Sequence, residues 1–219
     1  MKTPILYRKY IWILAPVAGI IIFICLYLLA TLFYPGGSQF DKDSKGFSWA
    51  QNYWCNLLSE NAINGQPNAA RPIALAGMFI LCTALISFWY IFPRNIKSSK
   101  AFTLTIQISG FLSMTIGMFI FTGLHDIVVN LATLAGIVAV VGTILGLRKL
   151  SWRTLFWLGI FNIFLVALNN ILYYRQGLLF YLPVTQKFTF LFFLLWISLI
   201  DIKLYNKVKS NFLLDNDAI

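Results

Sequence analysis

Six stretches of about 20 apolar residues recur along this chain, with almost no charge inside any of them. A bilayer core of roughly 30 Å needs about that length at 1.5 Å of rise per residue, so each stretch is read as a membrane-crossing helix. The spans expected are 11–34, 72–92, 101–122, 126–147, 154–174 and 184–204, which makes residues 1–219 one all-α transmembrane bundle. Composition agrees, since 59% of residues are hydrophobic and 11% charged, against about a quarter charged in soluble domains. The first stretch shows no small-residue cleavage site before Pro35. It also exceeds the roughly 7–15 residues of a signal-peptide core, so it reads as a retained span.

The turns orient the bundle. Twelve of the 17 Lys and Arg lie in the N-terminus, the 93–101 turn, the 148–153 turn and the tail after 204 or just before it, three in each. Lys42, Lys45, Arg71, Arg175 and Lys187 fall on the other side. The positive-inside rule then places both termini in the cytoplasm and the loop 35–71 outside. The net charge of +10 is spread over span ends rather than clustered with aromatics on a polar face, which argues against nucleic acid as a partner. Asp201, at the cytoplasmic end of the sixth span, is expected to be neutralised by Lys203, Lys149 or Arg153. The tail beyond it is expected to be mostly unstructured.

The loop 35–71 is the one long polar segment. Within it, 48–60 (SWAQNYWCNLLSE) fits an amphipathic helix with Ser48 as N-cap and Gln51 completing a capping box. Trp49, Ala50, Tyr53, Trp54, Leu57 and Leu58 fill one half of its wheel, and Asn52, Cys55, Asn56 and Glu60 lie on the other. Such a helix either lies flat at the outer surface, its Trp and Tyr at headgroup level, or packs on the span ends as a lid. Small residues mark contact faces inside the bundle. Thr105, Ser109, Ser113 and Gly117 recur on the third span, and Ala132, Gly136, Gly142 and Gly146 on the fourth. Their ordinary meaning is close helix packing.

Polar groups at membrane depth carry the chemistry that is legible here. His125, Asp126 and Asn130 open the fourth span, and Asn169 and Asn170 lie about one turn inside the outer end of the fifth. With Arg71 and Arg175 they form a candidate outward-facing polar cup, which Asn52 and Asn56 of the loop helix would roof. Each has an ordinary structural reading as well: Asp126 as a helix-terminal acid, the asparagines as interhelical glue, the arginines as phosphate contacts. A single histidine and the absence of a CxxC pair argue against a metal site or a thiol relay, so no metal and no cofactor is expected. Cys55, the lone loop cysteine, reads as a small residue rather than a reactive thiol. Gln107-Ile108-Ser109-Gly110 lacks the first glycine of the intramembrane serine-protease motif, and Ser109 lies far from His125 in depth.

The loop and the His-Asp turn carry a resemblance. Ser48, Tyr53, Gly65, Pro67, Asn68 and Gly77, with Leu124-His125-Asp126, are similar to a bacterial six-span family catalogued as domain of unknown function 998. That family is distantly similar to eukaryotic six-span proteins of lysosomal membranes and GPI-anchor remodelling. The run Cys55-Asn56-Leu57-Leu58-Ser59-Glu60 departs from the Ser-Glu-Leu-Gly run that the family carries there. The resemblance implies six helices, an outward site and a bacterial cytoplasmic membrane, and it lends no activity. The function expected is binding of a lipid headgroup or a membrane-protein partner at the cup, with Arg71 and Arg175 as anion contacts. The enzymatic alternative acts on lipid headgroups, with His125 as general base oriented by Asp126 or Glu60. A small-solute transporter ranks third, because the span interiors lack charge.

Overall fold

The computed structural model describes residues 11–217, with the side chains of His125, Asp126, Gln176 and 213–217 excepted. It is all-α, with helices α1 (Ala15–Leu32), α2 (Arg71–Ile91), α3 (Lys100–Gly117), α4 (His125–Lys149), α5 (Arg153–Tyr174) and α6 (Leu182–Asp217). Five stretches, covering all of these helices but α3, are long and apolar enough to cross a membrane, and the chain is a membrane protein on that ground.

The helices form an up-and-down ring. Gly19 of α1 meets Ala84 and Gly77 of α2 meets Tyr27, an antiparallel pairing that the small residues allow. Gln107 of α3 donates to the Tyr90 carbonyl of α2 at 2.8 Å. Ser113 of α3 donates to the Ala132 carbonyl of α4 at 2.8 Å, and Ile106 lies against Gly142. Of the small-residue stripes, Ser113 of α3 and Gly136, Gly142 and Gly146 of α4 are therefore contact positions, whereas Thr105 is exposed and a Cβ at Gly117 would touch none of the described residues. Gly159 of α5 receives Ile144 of α4 and Trp196 of α6, and the Trp196 indole donates to the Leu155 carbonyl at 2.8 Å. Phe190 of α6 against Phe23 of α1, with ring centres 5.6 Å apart, closes the ring. The 35–71 loop thus sits at one end, the loop face, and the turns bearing Arg94, Lys97, Arg148 and Lys149 at the other, the basic face.

Element boundaries depart from expectation at three places. The third helix ends at Gly117 instead of continuing to 122, and residues 118–124 form turns between Gly117 and Gly123. The tail is helical through Asp217: a helix already nucleated in the bundle extends at one hydrogen bond per residue, so even a polar sequence continues it. Asp201 is fully buried, and neither carboxylate oxygen has a hydrogen-bond partner among the described residues. The cations expected to neutralise it are engaged elsewhere or stay outside: Lys149 bonds Ser98, Lys203 lies over the Trp152 ring, and Arg153 is exposed. The N-terminal cations Lys2, Arg8 and Lys9 lie outside the described residues.

Candidate functional site

The loop is a folded plug with no α-helix. In place of a helix over 48–60 there is a turn after Ser48 and a 3-10 helix, Trp54–Leu58. The cause is local competition for backbone donors. Asn52 Oδ1 accepts from the Ser48 amide at 2.8 Å, so Ser48 is not a cap, and Asn56 Oδ1 accepts from the Tyr53 amide at 2.7 Å. Tyr53 is left extended, at φ −73° and ψ 153°, which breaks the helix in the middle.

Three anchors hold this plug to the bundle. The Trp54 ring seats among Tyr27, Phe190 and Phe23, at 5.3, 5.4 and 6.0 Å between centres. Leu57 and Leu58 are buried beside it. The Asn68 amide reaches the carbonyls of Ser59, Asn56 and Leu57 at 2.9, 3.0 and 3.3 Å, while its oxygen accepts from the Ala70 amide. One side chain thereby ties the 3-10 helix to the entry of α2. Lys187 of α6 is buried and donates to the Asn52 carbonyl and, at 2.9 Å, to the Pro183 carbonyl.

Lys187 is a loop anchor that the sequence alone marks only as one more loop-face cation. Its signal was there: it lies inside the sixth apolar run, between Pro183 and Phe188, at the end opposite to Lys203. A charge inside a span needs partners. Burial pushes the thiol of nearby Cys55 up from its ordinary value, and Lys187 offsets that only in part, which favours the protonated thiol.

The predicted cup residues divide. Asn52 and Asn56 form the inside of the plug, and Arg71 braces it, bonding the Leu58 carbonyl at 3.2 Å and pairing with Glu60 at 3.3 Å. These four are bound to the loop itself. On α5, Asn169 donates to Thr189 of α6 at 2.7 Å, and its own oxygen is buried without a donor. Gln186 stands three residues before Thr189 on the same face of α6, its side-chain oxygen is likewise buried, and neither oxygen has a hydrogen-bond partner among the described residues. Arg175 caps the loop-face end of α5, exposed and with no side-chain hydrogen bond or ion pair among the described residues. Asn130 and Asn170 are exposed on the adjoining helices, Asn170 bonded back to Val166. The side chains of His125 and Asp126 lie outside the described residues; their backbone forms the first turn of α4. Among the described residues, no hydrogen bond or ion pair joins the α5 group to the loop group. No cluster of three or more potential metal ligands occurs among the described residues.

Comparison with protein-family models, curated proteins and solved structures gave no match.

Proposed function

We propose that this chain is a six-span membrane protein that binds a lipid headgroup at its loop face, on the seam between α5 and α6. The observation that carries the reading is the pair of buried amide oxygens without donors, Asn169 Oδ1 and Gln186 Oε1, beneath the unpaired Arg175. A buried acceptor left without a donor costs about 1–3 kcal/mol. A headgroup supplies what both ends of the seam lack: hydroxyl or ammonium donors for the amides, and a phosphate for the guanidinium fork. Arg175 stands six residues beyond Asn169 at the end of α5, roughly 9 Å farther along the helix axis and about 120° around it, so its long side chain must swing back to meet the same headgroup. As the sixth span we count α3, which at 18 residues is roughly 27 Å long and packs antiparallel between α2 and α4. The excess of cations on the basic face orients the loop face outward, at the extracytoplasmic leaflet. The resemblance to the six-span family points to the same outward site.

The test is native mass spectrometry of protein released gently from its own membrane, parent beside an Asn169→Leu/Arg175→Ala variant. The parent is expected to retain a lipid class that the variant loses by about tenfold or more. The same annular lipids on both would overturn the reading and turn the search to a membrane-protein partner. A His125→Gln variant that keeps the lipid but accumulates it uncleaved would instead favour the enzymatic alternative.

A further inference from the structure

The basic face holds a second cavity, independent of the loop-face seam. It measures about 490 Å³ and lies between the α2–α3 turn, the α4–α5 turn and the last turns of α6. That size falls in the range of roughly 300–1,000 Å³ typical of small-ligand sites. Its polar lining is Asn95, Lys97, Lys149, Lys207 and Asn211, over an apolar floor that includes Leu204. Three separate elements therefore each supply one ammonium, and no carboxylate among the described side chains lines the cavity.

Two of the lysines are held in place by neutral neighbours. Lys149 Nζ donates to Ser98 at 2.7 Å and lies 4.2 Å from the centre of the Phe102 ring, which leaves further N–H donors free. Lys207 Nζ lies 5.9 Å from the Trp152 ring. Aromatic faces and a hydroxyl orient these cations without neutralising them. Asn95 spends its amide N–H on the Ile91 carbonyl, so its oxygen remains to accept from a ligand hydroxyl.

Depth identifies the class of ligand. Helix α6 has 36 residues, roughly 54 Å, against a hydrocarbon core of roughly 30 Å. Measured from Leu182, the core is spent after about 20 residues, so Leu204, Lys207 and Asn211 stand in the headgroup layer. We propose that this cavity binds a phosphate group, carried by an anionic phospholipid of the leaflet on that side or free in solution. Three ammoniums around an apolar floor suit a phosphate above acyl chains, and basic pockets between helices at this depth recognise such headgroups.

Two triple variants test it in the purified full-length chain. Lys97→Gln/Lys149→Gln/Lys207→Gln removes the cavity charges. Lys100→Gln/Arg148→Gln/Arg153→Gln removes three exposed cations of the same face that do not line it. Phosphatidylglycerol is titrated against phosphatidylcholine by native mass spectrometry, and inorganic phosphate against chloride at matched ionic strength by thermal melting. The parent and the control triple are expected to prefer phosphatidylglycerol, and the cavity triple to bind it about tenfold more weakly or worse. No lipid preference, but a melting shift with inorganic phosphate that the cavity triple loses, supports the same site with a soluble ligand. Neither response in the parent, or an equal loss in both triples, overturns the proposal. Lys97→Gln alone, at an exposed side chain with no hydrogen bond or ion pair among the described residues, is read the same way should a triple variant fail to fold.

Discussion

Gly110→Leu is expected to unfold the bundle at markedly milder conditions than the parent, by about 3 kcal/mol or more. A Cβ at Gly110 would lie 2.5–2.6 Å from Cγ, Cβ and Cδ2 of Trp89. Trp89 cannot step aside: it is 2% exposed, it donates its indole N–H to Thr143 of α4 at 3.3 Å, and its Cβ is fixed to the α2 backbone. The clash must therefore separate α2 from α3 or break the bond to α4. Gly117 supplies the internal control on the same helix, because a Cβ there meets nothing within 4 Å. Gly117→Ala should be neutral or stabilise by up to about 1 kcal/mol, the helix-propensity gain. Unfolding in detergent, followed by circular dichroism, reads both. A Gly110→Leu variant within about 1 kcal/mol of the parent would mean that α2 and α3 do not meet as described.

Trp54→Ala should release the plug while leaving the helices in place. The ring fills the space among Phe23, Tyr27 and Phe190 while only partly buried, so its truncation falls below the about 3–5 kcal/mol of a fully buried aromatic. That cost is expected as lost hydrogen-exchange protection over residues 52–68, since the helix-to-helix contacts do not involve this ring. Trp54→Phe is the discriminating companion. The indole N–H has no hydrogen-bond partner among the described residues, so phenylalanine keeps the ring contacts and loses no such bond. It should retain most of the protection, with a loss below about 1.5 kcal/mol. Equal protection in the alanine variant and the parent would show that Asn68 and Lys187 hold the loop unaided.

What could be read in advance followed from how strictly the solvent constrains the chain. A bilayer demands uninterrupted apolar length, so the positions of α1, α2, α4 and α5 stood in the sequence to within a few residues. The loop had no such constraint. The 48–60 pattern has helical periodicity, yet it places Asn52 and Asn56 one turn apart, and both side chains captured amides that a helix would have used. Periodicity reports which face is apolar and is silent about that competition. Of the cup residues, Asn169 and Arg175 lie near the loop-face end of α5, as expected, because depth is a property of position in a helix. Depth could not show how Arg71, Asn52 and Asn56 are engaged, because their partners Glu60, Leu58 and Gly37 are fixed by the path of the loop. Gln186 and Lys187 were missed because they sit near a span end, where polar residues ordinarily attract no notice.

The bond between Lys187 and Asn52 joins residues 135 positions apart. During synthesis the loop is complete long before the sixth helix exists. Until that helix enters the membrane, the Asn52 carbonyl has no ammonium and Trp54 has no Phe190. Sealing of this face is therefore a terminal event in assembly, with its closure entropy paid only when the last helix docks on the first. A chain without that helix leaves Trp54 with only its α1 partners Phe23 and Tyr27 at the loop face.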